Sequence, residues 1–279
     1  MTAGRAVPHG SWLMPDWEAP AQVRALSTLR GGGLSAGSYA SFNLAHHVGD
    51  EPSHVQDNRA LLRAAAGLPA EPMWLEQVHG TAVAVHADVD VEVGAPPPRA
   101  DAAVAFSPGR VCVVMTADCL PVVFADRAGT RVGVAHAGWR GLVAGVLEAT
   151  VSALQAPPAE LVAWLGPAIG PQAFEVGPEV RDAFVARNAA NAAGFTRNAA
   201  GRYQADLYQL ARQALLRSGV VAVSGGGYCT QGDPQSFFSF RRDGGRTGRM
   251  ATLAWLATDA TGPAPGQPPP SAVRTRGAC

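Results

Sequence analysis

Two short apolar runs separated by a polar turn stand at the centre of the chain, between residues 116 and 141. The first run follows Asp118 and Cys119, and the second ends at His136, just before the small-residue loop AGWRG. Because Gly129 lies in the turn between them, the pattern predicts a β-hairpin. Residues at the start of its first strand and the end of its second strand lie opposite each other, which would bring Cys119 within reach of His136.

The rest of the chain alternates strand-like and helix-like segments without a fixed repeat. Apolar residues at helical spacing predict helices over about 54–67, 141–155 and 206–219. Strand-like runs begin near Val23, Met73, Leu161 and Val220, and the second of them is interrupted by a polar break at 77–80. This order favours a mixed-sheet α/β or α+β fold. A helix starting just after His136 would direct its free N–H groups toward the hairpin end and favour an anion there.

The length of 279 residues is compatible with one catalytic domain and ragged ends. We expect a domain over 21–260, an N-terminal extension over 1–20, and a disordered tail over 261–279, which is rich in Pro and Gly. Hydrophobic residues make up 47% of the chain and charged residues 16%, which predicts a sizeable core rather than a disordered protein.

Charge and targeting signals restrict the partners. With 22 basic and 22 acidic residues the formal net charge is +0, so the sequence offers no electrostatic footprint for nucleic acid or an anionic membrane. No signal peptide is evident at the start, and no apolar stretch reaches the ~18 residues of a membrane span. We therefore expect a cytoplasmic protein, either a monomer or a weak homo-oligomer, that acts on small molecules.

Three side chains carry the candidate chemistry. His79 lies at the polar break, and Cys119 and His136 lie at the ends of the predicted hairpin. Taken singly, a buried cysteine or histidine is more often a core residue than a site residue. Together, with Asp118 and Arg140 at the same end, they indicate a functional site. The sequence contains no C-x-x-C pair, the pattern that would indicate a structural zinc site instead.

Five segments, in order, carry a resemblance to a known family: LEQVHG, TADCLPV, AHAGWRG, GPAIGPQAFEVG and FFSFRRDGGRTGR. They resemble signature segments of the YfiH family, variously described as multicopper polyphenol oxidases, peptidoglycan editing factors and purine nucleoside phosphorylases. The resemblance runs from about Leu26 to Leu256. It implies a single α+β (mixed α/β) domain with a central β-sandwich of mixed sheets flanked by helices. It also implies that His79, Cys119 and His136 bind a metal and act in catalysis.

The resemblance leaves three functions open. The first is a zinc-dependent purine nucleoside phosphorylase acting on adenosine, inosine and S-methyl-5'-thioadenosine, with adenosine deaminase activity in addition. Zinc held by three protein ligands keeps a fourth position for water or substrate. The second is a cysteine hydrolase that edits peptidoglycan precursors, with Cys119 as nucleophile. The third is a copper (Cu2+) polyphenol oxidase resembling laccase, which would need about ten imidazole ligands, usually in H-x-H pairs. The sequence has 7 His and no H-x-H, so this function is disfavoured.

Phosphorolysis also needs side chains that hold the nucleoside and position a phosphate for attack. Arginine side chains can bind phosphate oxygens through two parallel hydrogen bonds. The candidate phosphate ligands are Arg59, Arg140 and Arg241, and the candidate substrate-binding residues as a whole are Asn43, Arg59, Gln77, Asp118, Arg140 and Arg241.

Overall fold

The fold is described from a computed structural model, which covers residues 12–87 and 96–258. The strands are β1 (Trp12–Leu13), β2 (Val23–Thr28), β3 (Val83–His86), β4 (Ala102–Ala105), β5 (Cys112–Thr116), β6 (Leu120–Asp126), β7 (Val132–Ala137), β8 (Leu161–Leu165), β9 (Glu175–Val176), β10 (Phe195–Arg197), β11 (Tyr203–Ala205), β12 (Ala222–Gly225) and β13 (Met250–Leu256). The helices are α1 (Pro52–Ala65), α2 (Trp139–Ala144), α3 (Val146–Ala153), α4 (Pro178–Arg187) and α5 (Leu207–Arg217).

Two sheets stack face to face and form a central sandwich. An antiparallel sheet has the order β1-β2-β13-β5, and a mixed sheet has the order β12-β8-β6-β7-β4-β3. In the mixed sheet β12 pairs with β8 and β3 with β4 in parallel, whereas β6 and β7 at its centre pair antiparallel. A small third sheet, β10-β11-β9, lies apart from these two. The prediction of an α+β fold with a sandwich of mixed sheets is confirmed.

The core is divided into layers by these sheets. Small and branched residues such as Val114, Val123 and Val134 fill the space between the two large sheets. The outer face of the mixed sheet packs against α2 to α5 through residues such as Leu147 and Leu215. The outer face of the antiparallel sheet packs against α1. Because both faces of β6 and β7 are covered, every residue of these two strands is buried.

The central hairpin forms as the sequence predicts. Leu120 pairs with Ala137 and Pro121 pairs with His136 across β6 and β7. Gly129 has a φ of 68° in the connecting turn, a left-handed backbone angle that glycine adopts without strain. Cys119, immediately before β6, therefore lies at the same end of the sheet as His136.

Three local predictions differ from the structure. The single helix predicted over 141–155 starts earlier, at Trp139, and divides into α2 and α3 at Gly145, whose φ is 106°. The helix beside His136 is consequently only six residues long, which weakens the expected attraction of its N-terminus for an anion. The strand expected from Met73 is reduced to isolated bridges, such as the one between Met73 and Cys112.

The sequence predicts an N-terminal extension and a C-terminal tail, and the structure describes only some of these residues. β1 lies within the segment 1–20 that the sequence assigns to an extension, and it pairs with β2. The predicted tail over 261–279 lies outside the described residues. Among the described residues, none of the helices has the length and apolar character needed to cross a membrane.

Candidate functional site

His79, Cys119 and His136 meet at one end of the mixed sheet. The Sγ atom of Cys119 lies 3.9 Å from Nε2 of His79, and the two imidazole rings are edge to face with centroids 4.7 Å apart. One nitrogen or sulfur from each of the three lies within 4.8 Å of the others. We call these three residues the His-Cys-His cluster. His136 is buried, Cys119 is half-buried and His79 is exposed, so the cluster opens toward solvent on the His79 side.

Backbone geometry brings the cluster together. His79 and the residue before Cys119, Asp118, have φ values of 61° and 87°, in the left-handed region that side chains other than glycine rarely adopt. Gly138 approaches the cluster so closely that a Cβ atom there would lie 2.9 Å from Cδ2 of His79 and 3.0 Å from Sγ of Cys119. A side chain at residue 138 would therefore displace His79 or Cys119 from this arrangement.

A buried carboxylate joins two members of the cluster. Asp101 accepts a hydrogen bond from Nδ1 of His136 at 2.8 Å. It also accepts from the backbone N–H groups of Val78, His79 and Gly80 at 3.2, 2.9 and 2.6 Å. Since Nδ1 of His136 donates to Asp101, Nε2 faces the cluster and is the atom that can bind a metal when the ring is neutral. Asp101 thus fixes both the ring of His136 and the loop that carries His79.

The cluster is polarised by its own charges. Burial by itself would raise the pKa of the Cys119 thiol, but the charges and hydrogen bonds of His136 and His79 lower it. Burial would lower the pKa of His136, but the neighbouring Cys119 and Asp101 raise it. Without a metal, the pair is therefore biased toward a thiolate and an imidazolium.

The donor set fits a metal ion. Imidazole nitrogen and thiolate sulfur are the ligands that zinc prefers, and copper also accepts them. Three protein ligands with one open side are the arrangement of catalytic zinc sites, and Asp101 provides the carboxylate that commonly orients a metal-bound histidine. His79, Cys119 and His136 could therefore hold one ion together.

A cavity of about 370 Å³ opens from the cluster. One wall is apolar and is formed by Met115, Ile169, Phe174, Leu207 and Phe240. Phe240 is 53% exposed, so its ring stands at the mouth. An apolar, partly aromatic wall of this kind can bury a flat heterocyclic base.

Basic side chains also line this cavity and give part of it a positive charge. Arg140, Arg241, Arg249 and His47 all line it. The Arg140 guanidinium lies 4.5 Å from the ring of Trp139, and that of Arg241 lies 5.4 Å from the ring of Phe174. We call Arg140, Arg241 and Arg249 the arginine wall. The cavity thus combines the His-Cys-His cluster with apolar side chains and cationic side chains.

Two further residues predicted to bind substrate, Gln77 and Asp118, line the cavity but have their polar groups engaged. The Gln77 amide forms paired hydrogen bonds with the backbone of Met115, at 2.7 and 2.8 Å. The Asp118 carboxylate accepts from the Thr230 hydroxyl and from the backbone N–H of Arg241, both at 2.6 Å.

The last two predicted substrate-binding residues, Asn43 and Arg59, do not line this cavity. Asn43 is fully buried, and its Oδ1 accepts from the backbone N–H of Arg249 at 3.0 Å. The Arg59 guanidinium stacks 3.6 Å from the ring of Trp74 and donates from Nε to the carbonyl of Leu44. Arg59 faces a separate surface groove beside α1.

Sequence reasoning did not single out Asp101, Arg249 or His47 as site residues. Asp101 stands directly before the buried run AAVA, and a lone carboxylate at the start of a fully buried strand is the signal that could have identified it. Arg249 and His47 lie in polar loops rich in similar residues, where the sequence contains no comparable signal.

Comparisons with known proteins agree with the fold and extend over most of the chain. Residues 24–257 match the family described as multi-copper polyphenol oxidoreductase laccase. A purine nucleoside phosphorylase of Pseudomonas aeruginosa is 55% identical over 247 residues, covering 88% of this chain and 98% of that protein. The purine nucleoside phosphorylase YfiH of Escherichia coli is 53% identical over 246 residues, covering 88% of this chain and 98% of that protein.

Solved structures give the same result. A crystal structure of a Neisseria meningitidis protein superposes with a TM-score of 0.83 at 50% sequence identity, covering 88% of this chain and 99% of that one. The crystal structure of YlmD from Geobacillus stearothermophilus has a TM-score of 0.81 at 29% identity, covering 90% of this chain and 97% of that one.

Proposed function

The chain belongs to the YfiH family, and from this premise we propose that the protein is a purine nucleoside phosphorylase. Its substrates would be phosphate and the nucleosides adenosine, inosine and S-methyl-5'-thioadenosine. The curated relatives that carry the name purine nucleoside phosphorylase match it along nearly their whole length, which supports the proposal. The observation that carries it is the cavity, which brings apolar side chains and the arginine wall together beside the His-Cys-His cluster.

Phosphorolysis forms a bond from a phosphate oxygen to C1′ of the ribose and breaks the bond from C1′ to the purine nitrogen. The chain would contribute three things to this exchange. The apolar wall would bury the purine and exclude water, which would otherwise compete with phosphate as nucleophile. The arginine side chains would hold the negative charge of phosphate, and the fixed geometry would keep both reactants in position.

His79, Cys119 and His136 are the residues that would hold a zinc ion. When bound, zinc would supply a Lewis acid beside the substrate. Asp101 would keep Nε2 of His136 directed at the ion by holding Nδ1 through its hydrogen bond. We extend the proposal to deamination of adenosine in the same cavity, a reaction that needs water in place of phosphate. Dependence on phosphate therefore separates the two activities.

One observation favours a second function. Cys119 provides a thiol of lowered pKa. His136 provides an imidazole, which is hydrogen-bonded to the buried carboxylate of Asp101. A nucleophile, a base and an orienting group in this order are typical of cysteine hydrolases. A hydrolase of peptidoglycan precursors would use Cys119 as a free thiolate, so a chelator should preserve or increase its activity. The same chelator should abolish a zinc-dependent phosphorylase.

The copper oxidase function has less support. The family description mentions copper, but among the described residues only one group of three side chains can hold a metal. With 7 His in the whole sequence, the chain lacks the roughly ten imidazoles that a multicopper oxidase uses.

Phosphorus-31 NMR of the products tests the proposed function. The full-length protein would be incubated with adenosine or inosine, with and without phosphate. We expect free purine together with ribose 1-phosphate, formed only when phosphate is present. Release of purine with free ribose, at a rate independent of phosphate, would contradict the proposal, as would hydrolysis of a peptidoglycan precursor without purine release.

A further inference from the structure

Some arginines of the structure pair with a carboxylate, and within the described part of the chain the three of the arginine wall do not. Arg242 forms paired hydrogen bonds with the carboxylate of Asp243 and donates to the carbonyls of Thr230 and Phe237. Arg202 lies 2.7 Å from the carboxylate of Glu175. In contrast, none of the three guanidinium groups of the arginine wall forms an ion pair with any carboxylate in residues 12–87 and 96–258.

Arg249 is the most enclosed of the three. Its Nη1 donates to the carbonyls of Thr247 and Gly248, at 2.8 and 3.1 Å, and its other guanidinium nitrogens form no hydrogen bond to any described residue. Burial lowers its pKa, and the negative charges of Cys119 and Asp118 oppose that effect. Neutral carbonyls and the ring of Phe240, 5.7 Å away, offset only part of the cost of removing this cation from water. An anion that enters the cavity would relieve this cost.

The backbone that carries these arginines is held in place from both ends. The buried carboxylate of Asp118 accepts from the backbone N–H of Arg241, and the buried amide of Asn43 accepts from the backbone N–H of Arg249. These two contacts fix the segment 241–249 while leaving the guanidinium groups at its ends on the cavity. The arrangement is that of a site built before its ligand arrives.

The sequence contains no lysine, so every basic side chain other than histidine is an arginine. Guanidinium groups bind the oxygens of a tetrahedral dianion in pairs, which a point charge cannot do. His47, on the same cavity, has its pKa lowered by burial and then by the positive charge of Arg249. The positive charge of Arg249 therefore acts on other groups of the cavity and would attract an anion there.

We propose that Arg249, with Arg140 and Arg241, binds inorganic phosphate in the cavity that the His-Cys-His cluster also lines. Arg249 replaces Arg59 in the set that the sequence suggests. The phosphate would be the attacking substrate, and in this respect the inference rests on the proposed function. The same chemistry would also recognise a phosphate ester, such as the 5′-phosphate of a nucleotide.

Calorimetric titration of the full-length protein with inorganic phosphate tests the site. Arg249→Gln and Arg140→Gln remove one guanidinium each, and Arg246→Gln is the matched control, since Arg246 is exposed in the same loop and does not line the cavity. We expect both cavity variants to weaken phosphate binding about tenfold or more. The control should stay within about twofold of the unaltered protein. If Arg249→Gln lowers the melting temperature sharply, the exposed Arg140 carries the test.

Three outcomes would overturn the proposal. The first is unchanged phosphate affinity in both cavity variants. The second is phosphate binding that is lost in Cys119→Ser but kept in both arginine variants, which would place the anion at the metal. The third comes from a parallel titration with adenosine 5′-monophosphate: if only the nucleotide loses affinity in Arg249→Gln, the site serves an ester and not free phosphate.

Failure of this site and failure of the proposed function give different results. If phosphate binds through Arg249 but no purine is released, the anion site is supported and the phosphorylase function is contradicted. If purine release depends on phosphate and KM for phosphate is unchanged in Arg249→Gln and Arg140→Gln, the phosphorylase function is supported and the anion site is contradicted.

Discussion

The two charged sides of the cavity are built in opposite ways. In the His-Cys-His cluster contacts within the protein set the positions: Asp101 holds His136 and the His79 loop, and Gly138 allows the three side chains to meet. On the arginine wall the backbone is fixed, but the guanidinium groups have no carboxylate partner among the described residues. The side chains of the first side are held by a buried carboxylate, whereas the guanidinium groups of the second side lack a carboxylate counter-charge in the part of the chain that the structure describes.

This difference suggests how each side should respond to mutation. A rigid cluster has little freedom to compensate, so small changes of shape or hydrogen bonding should affect metal binding strongly. The arginine wall shares one ligand among several groups, so removing one of them should leave part of the interaction.

Gly138→Ala should have the largest effect. The new Cβ would lie 2.9 Å from His79 and 3.0 Å from Cys119, so at least one of these side chains has to move. A displacement of this kind can reduce activity about 100-fold or more, and metal content should fall with it. Gly31→Ala is the control, because a Cβ at Gly31 meets nothing within 4 Å. Metal content and kcat/KM of the two variants decide the matter, and unaltered values in Gly138→Ala would show that the cluster is not rigid.

Asp101→Asn should weaken metal binding without removing a ligand. The amide cannot accept from the His136 ring and three backbone N–H groups as the carboxylate does. Loss of such an orienting partner typically costs about 10- to 100-fold in metal affinity, which competition with a chelator measures.

Asp126→Asn is the matched control for Asp101→Asn. Asp126 is also buried and accepts from the backbone N–H groups of Thr130 and Arg131, but it lies in the hairpin turn. We expect it to lower the melting temperature and leave metal affinity intact. Equal metal affinities in the two variants would remove Asp101 from the account.

Arg140→Lys tests the arginine wall because it keeps the positive charge but removes the planar guanidinium, which can bind two phosphate oxygens at once. We expect phosphorolysis of adenosine to fall roughly tenfold, or ~1.4 kcal/mol of transition-state stabilisation. Deamination, which needs no phosphate, should change much less. An ion pair between Arg140 and Asp118 would predict parallel losses, but Asp118 is bonded to Thr230 and Arg241 instead. Equal losses of both activities together with a lower melting temperature would contradict the phosphate role.

Arg59→Gln should have the smallest effect on catalysis. Arg59 stacks on Trp74, donates to Leu44 and has Nη2 4.0 Å from Sδ of Met115, but it does not itself line the cavity. Its loss should lower the melting temperature by about 2–4 °C and leave KM for phosphate within about twofold. A tenfold rise in that KM at unchanged stability would return Arg59 to the phosphate site.

The sequence predicts the cluster better than the arginine wall, and the reason is physical. Cys119 and His136 are joined by a hairpin, whose register follows from the alternation of apolar residues and the turn at Gly129. His79 stands out because it interrupts a strand-like run. Such local signals can be read from one sequence.

The remaining features depend on contacts between distant segments. Asn43 reaches Arg249 across 206 positions, and Asp118 reaches Arg241 across 123. No local pattern indicates that these polar residues hold an arginine-bearing loop rather than a substrate. The division of the helix at Gly145 is a similar case, because a glycine within a helical pattern is compatible with either a continuous or an interrupted helix.

Metal analysis of the full-length protein, purified without added metal, tests the central claim that the cluster is a zinc site. The comparison is with the double variant His79→Ala, Cys119→Ser, which leaves only His136 of the three ligands. We predict about one zinc per chain in the unaltered protein and none in the variant. Stoichiometric zinc that persists in the variant, or several copper ions per chain in the unaltered protein, would contradict the account.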